Sequence, residues 1–191
     1  MCEYLQLNKN SVCLLRINDK NESMKQTTWT QEQKTHWVNK AKRHQELDQF
    51  KQGLWWNEKT EKGCEFGCLL EQDENVLRDA PELMNIPAWV VHIFEKIFEG
   101  LSVEDSKTWV VDSLDAIPVD ADLTEKWRQW NIWLLTDQLG FAEGEPKVTE
   151  AIKSVRALWV SGCTDASAWS AAESDSNYAK IGYKLLEILK A

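Results

Sequence analysis

Asn85-Ile86-Pro87-Ala88-Trp89-Val90-Val91-His92-Ile93-Phe94-Glu95-Lys96-Ile97-Phe98-Glu99-Gly100-Leu101 is the stretch on which the fold turns. Asn85 followed by an early proline reads as a helix start. Val90, Ile93, Phe94, Ile97 and Leu101 recur at spacings of three and four, the buried stripe of an amphipathic helix, and Gly100 marks its end. The same stretch is the longest apolar run of the chain. His92, Glu95, Lys96 and Glu99 interrupt it well short of the roughly 20 apolar residues that a membrane span needs.

Helical patterns continue on both sides. Upstream, Thr30 and Gln33 make a capping box, and Trp37, Ala41, His44, Leu47, Phe50 and Leu54 follow at helical spacing, so a first helix is expected to end near Gly53. Downstream, Ser102 with Asp105 caps a helix whose inward face is Val103, Trp109, Val110, Leu114 and Ile117, stopped by Pro118. Asp120 and Asp122 offer the next cap, ahead of Leu123, Trp127, Trp130 and Leu134. Pro146 opens a further helix with Val148, Ile152, Val155 and Trp159 on one face and Gly162 at its end. Thr164 to Lys190 alternates small residues with a few large ones and reads as a terminal packing helix. No long β-branched alternation occurs, and a short strand or hairpin near 65–70 is the only β candidate. The expectation is an all-α, single-domain bundle of about six helices, with a glycine/cysteine-rich turn or short hairpin after the first. Residues 24–191 form the helical domain, and residues 1–23, which lack a sustained apolar period and precede Met24, read as an extension.

The chain has 191 residues, 43% of them hydrophobic and 28% charged, a globular composition that excludes a wholly disordered or disulfide-framed chain. The formal charge of −9 is unevenly spread: residues 24–63 hold 8 basic and 5 acidic groups, residues 64–191 hold 11 and 23. Such an acidic surface disfavours direct nucleic-acid binding and suits a protein partner with a basic surface. Five cysteines, Cys2, Cys13, Cys64, Cys68 and Cys163, form an odd, sparse set without a secretory signal, so reduced thiols and a cytoplasmic setting are expected.

Gly63-Cys64-Glu65-Phe66-Gly67-Cys68, then Ile97-Phe98-Glu99-Gly100-Leu101, Ala116-Ile117-Pro118 and Trp133-Leu134-Leu135-Thr136-Asp137, with an Ala/Ser/Trp-rich tail, together resemble a family of uncharacterised bacterial and phage-borne helical proteins. The resemblance covers about residues 27–190. It implies a prokaryotic or mobile-element setting, in which an inhibitor of a host or defence protein is an expected role, and it implies no reaction. Members carry a His shortly after the second cysteine, where this chain has Leu69-Leu70-Glu71.

Three chemistries are open to the residues themselves. Cys64 and Cys68 can supply two thiolates to zinc or iron, with His92 and Glu95 as further ligands, but the C-x3-C spacing departs from the usual C-x2-C knuckle and no second pair follows. The default for both cysteines is burial in a glycine-rich turn. His92, Glu95 and Glu99 can converge on one helix face, in the reverse order from di-iron Glu-x-x-His motifs, and their default is a solvated edge. Second, Trp55 and Trp56 with Lys59, Lys62, Gly63 and Gly67 suit a small anionic ligand such as a nucleotide. Third, Trp133 with Asp112 and Asp115 suits a macromolecular interface. No phosphate-loop, dinucleotide, nucleophile-elbow or His-Glu-x-x-His motif is present, and the leading expectation is a non-enzymatic protein that binds a macromolecular partner without a cofactor, the alternatives being a nucleotide-binding protein and a metal-dependent enzyme using Cys64 and Cys68.

Overall fold

The computed structural model describes residues 28–162 and 178–191. The expected extension over 1–23, Cys163 and the first half of the terminal segment lie outside the described residues. Within them the protein is an all-α bundle of eight helices with one two-stranded hairpin.

Helix α1 (Gln31–Glu46) begins at the expected capping box: Thr30 Oγ1 accepts from Gln33 N–H at 3.3 Å, and Gln33 Oε1 accepts from Thr30 N–H at 3.0 Å. It stops seven residues before Gly53, because Asp48 adopts left-handed backbone (φ 51°) and the Gln49 N–H turns back to the His44 carbonyl. Strands β1 (Trp56–Asn57) and β2 (Lys62–Gly63) pair antiparallel around a turn in which Asn57 Oδ1 accepts from the Lys59 and Thr60 N–H groups, both at 3.1 Å. Residues 65–70, read from sequence as the β candidate, are instead helix α2 (Glu65–Leu70), and the hairpin lies just upstream. Two glycines make that junction. A Cβ on Gly63 or Gly67 would lie 1.9 or 1.8 Å from the Trp55 carbonyl oxygen, so only glycine lets the hairpin lie directly on the start of α2.

Helix α3 (Val76–Met84) is an element the sequence reading passes over. Val76, Ala80 and Met84 are buried at four-residue spacing, and left-handed Asn75 and Asn85 flank the helix. Asn85 therefore closes α3, and α4 (Ala88–Gly100) starts after Pro87. Helix α5 (Val103–Ala116) is capped by Ser102, whose Oγ accepts from Asp105 N–H at 3.1 Å. Helix α6 (Thr124–Phe141) follows Asp122, which accepts from Thr124 N–H at 2.9 Å. Helix α7 (Pro146–Val160) carries its proline in the first turn, and α8 (Tyr178–Lys190) completes the bundle. The periodic stripes point inward, except that Val103 and Val148 are exposed at the first turns of their helices and Leu47 is exposed just past the end of α1.

Helix α4 is the axis of the fold, packed against α2, α3, α5 and α8. Phe66, Phe94, Ile97, Phe98, Trp109 and Trp130 belong to the main core. A smaller core of Leu135, Ala142, Ile152 and Trp159 joins α6 to α7. No helix among the described residues is long and apolar enough to cross a membrane.

Candidate functional site

One face of α4 lines a cavity. The segment Gly53–Trp55, the start of α2 and Leu77 of α3 fold over it and leave a cavity of about 600 Å³. Helix α4 contributes His92, Glu95, Lys96 and Glu99, spaced one turn apart; Leu54, Trp55 and Leu77 are the apolar walls, and Cys64 faces α4 from the opposite side. Backbone pairing fixes this arrangement. Cys64, in extended backbone just ahead of α2, donates its N–H to the Leu54 and Trp55 carbonyls at 2.5 and 3.0 Å. Both oxygens of Glu99 accept the Gly53 N–H, at 2.8 and 3.1 Å, which ties the segment over α4 to the helix itself.

Of the helix edge expected to be solvated, His92 and Glu99 are exposed and Glu95 alone is buried. Glu95 is 5% exposed. Burial, reinforced by the charge of Glu99, pushes its carboxyl up to about 7 against the opposing hydrogen bonds of the Cys64 thiol and the Phe66 N–H. Its Oε2 has no hydrogen-bond partner among the described residues. Glu99, exposed at the rim, is raised by burial and held back by the Gly53 N–H. Burial first, then Glu95, pushes the Cys64 thiol far above its ordinary range. Behind Glu95 stands Glu65, fully buried and raised well above the ordinary range by burial and then by Glu95; it accepts from Trp109 Nε1 at 3.1 Å and Ser113 Oγ at 3.3 Å.

Cys64 Sγ and one carboxylate oxygen each of Glu95 and Glu99 all lie within 4.8 Å of one another. Of the metal ligands proposed from sequence, the cavity thus brings together Cys64 and Glu95, with His92 on its lining and outside this three-atom group. Cys68 is elsewhere: its thiol donates to the Gly63 carbonyl at 3.1 Å, and burial pushes it up to about 12. Glu99 enters the set by its four-residue spacing from Glu95, the one sequence signal that could have added it. Glu65 carried no such signal.

The residues grouped for an anionic ligand are divided between the two faces of the hairpin. Trp55 lines the acidic cavity, whereas Trp56 meets His44 edge-on at 6.0 Å and lines a second cavity of about 750 Å³ beside Lys40 and Arg43. That cavity carries its own counter-charge, with Lys40 Nζ 3.1 Å from Glu71. Lys62 lies 3.4 Å from Asp48, Lys59 is exposed in the turn, and Gly63 donates its N–H to the Gln49 carbonyl, while Gly67 accommodates Trp55. Asp112 and Asp115 are exposed on α5, Asp115 at 3.9 Å from Lys34, and Trp133 is half-buried against the main core.

No protein-family model, curated protein or solved structure matches the chain.

Proposed function

We propose that this chain is a binding protein for a small cationic ligand, taken up in the cavity between the hairpin and α4. The observation that supports it most is the buried, unpartnered Oε2 of Glu95 on the lining of that cavity. A buried carboxylate oxygen without a donor carries a desolvation penalty, which a positively charged ligand relieves. The apolar walls strengthen the attraction by keeping the local dielectric low. Because the Glu95 carboxyl lies at about 7, its proton competes with the ligand, and affinity rises from acid to mildly alkaline pH. The expected basic macromolecular partner has a weaker locus, since Trp133 packs against the core and Asp115 faces Lys34.

Thermal denaturation of the full chain with Zn²⁺ or a short diamine such as putrescine tests this, at about pH 8 and about pH 5.5. At least one probe is expected to raise Tm by several degrees at the higher pH, less at the lower, and not in Glu95→Gln. No rise with either probe, or a rise that Glu95→Gln keeps, contradicts the reading.

A further inference from the structure

We infer that the cation is a divalent ion of the zinc class, held by Cys64 Sγ and the carboxylates of Glu95 and Glu99. The inference rests on the cationic-ligand reading above and narrows it by the chemistry of the donors.

An alkylammonium ion has no use for a thiol, and hard cations such as Mg²⁺ select all-oxygen sites, whereas a set of one thiolate and two carboxylates matches zinc. The three donor atoms lie within 4.8 Å of one another. A tetrahedral ion with bonds of about 2.0–2.3 Å separates its donors by roughly 3–4 Å. Glu99 is the exposed member of the set, so closing the remaining distance falls to its side chain, with one carboxylate oxygen kept on the Gly53 N–H. Two ligands sit one turn apart on α4 and the third is clamped by its own N–H to Leu54 and Trp55, so the donors come from two elements already fixed to each other. Glu99 is oriented by the Gly53 N–H and Glu95 by that of Phe66, the outer hydrogen bonds that ligating carboxylates need. The buried Glu95 oxygen without a donor is the vertex that an ion satisfies. The fourth ligand would come from water in the cavity that His92 also lines.

The electrostatic surroundings of the set are Glu65 behind it on α2, with His92 and Lys96 beside it on α4. In that acidic enclosure the thiol stays protonated until a cation arrives. Binding forms one Zn–S and two Zn–O bonds and breaks the Cys64 S–H bond. The thiol proton, and that of whatever fraction of Glu95 is protonated, pass to the buffer, and no group is oxidised or reduced.

Titration of the chelator-stripped, reduced full chain with Co²⁺ at about pH 8 tests the inference. One equivalent is expected to give a thiolate-to-cobalt charge-transfer band in the near ultraviolet with tetrahedral d–d bands, abolished by Zn²⁺ and unaffected by excess Mg²⁺. Cys64→Ser is expected to lose the charge-transfer band and Cys68→Ser to keep it. Glu99→Gln, whose amide oxygen still accepts the Gly53 N–H, is expected to weaken Co²⁺ binding by at least about tenfold. Absence of the band in the parent chain, or a band that survives Cys64→Ser, overturns the inference. If the band is absent while a diamine still raises Tm in a Glu95-dependent way, zinc falls and the cationic-ligand reading stands. If neither response occurs, both fall.

Discussion

The tryptophan cluster where α4, α6 and α7 meet and the acidic cavity between the hairpin and α4 are built on the same central helix by opposite means. In the first, Trp89 stacks on Trp127 at 4.8 Å, Trp127 stacks on Trp130 at 5.5 Å, and Trp159 meets Trp127 edge-on at 5.8 Å. Each ring there adds apolar burial and aromatic contact. In the second, Cys64, Glu65 and Glu95 are buried at the expense of their charged forms. The conspicuous feature of the composition is its 11 tryptophans, of which Trp29, Trp109, Trp130 and Trp159 are buried in the cores. The inconspicuous one, a glutamate among many, is the residue on which the proposed cation site rests. Groups that destabilise the fold while sitting in a cavity are where function is to be sought.

Substitutions that separate the two regions sharpen this contrast, and the largest effect belongs to the aromatic cluster. Trp130→Ala removes a fully buried ring and is expected to lower stability by about 3–5 kcal/mol in chemical denaturation, with the pH response of the acidic cavity unchanged. Loss of that pH response in the variant would show the regions to be coupled.

Next in size is the pH dependence of the cavity. Glu95 titrates at about 7 in the folded chain, above its ordinary 4.5, so the folded state holds this proton more tightly than the unfolded state. Its contribution to stability is fully present below about pH 4.5 and is lost as pH rises through about 7, a difference of roughly 3 kcal/mol. Glu65 acts in the same direction. Glu95→Gln is expected to flatten the decline and to be more stable than the parent at about pH 8; equal slopes in urea denaturation across this range would count against a buried acid at this position.

Gly67→Ala touches the frame rather than the chemistry. Its Cβ would lie 1.8 Å from the Trp55 carbonyl oxygen, and the hairpin must lift from α2, a loss of about 1–3 kcal/mol. Unlike Trp130→Ala, it is also expected to weaken cation binding, read by calorimetry, because Trp55 and Cys64 share that contact. The smallest effect is expected far from both regions. Lys34 Nζ donates to the Asp115 and Ile117 carbonyls at 2.6 and 3.0 Å at the end of α5, and Lys34→Ala should cost about 1 kcal/mol without altering the cavity.

Periodicity is enough to find α1, α4, α5, α6 and α7, since their stripes recur at three and four, and for α1 and α5 the capping side chains are local in sequence as well. It failed where two elements compete for one residue. Asn85 reads as the start of α4, yet its left-handed backbone closes α3, a nine-residue helix whose buried residues are Val76, Ala80 and Met84. Strands of two residues contain no alternation to detect, so the hairpin was placed a few residues too late. The candidate site was half legible for the same reason. The facing of His92, Glu95 and Glu99 follows from helical geometry alone. The burial of Glu95 does not, because it is imposed by the segment around Leu54 and Trp55, some forty residues away, and by the glycines that seat it. The C-x3-C spacing suggested a pair, but the helical turn of α2 directs Cys68 to the Gly63 carbonyl and leaves Cys64 alone toward α4. Trp133 looked available for a partner because Leu123, Trp127, Trp130 and Leu134 already filled a stripe, and the main core proved broad enough to take its edge as well.

The most direct test is a carbon-13 NMR titration of the glutamate side-chain carboxyls, with and without Zn²⁺. The account predicts one carboxyl, removed by Glu95→Gln, that titrates at about 7 in the free protein and ceases to titrate there when zinc is bound. Titration of Glu95 in the ordinary carboxylate range, unmoved by zinc, would contradict it.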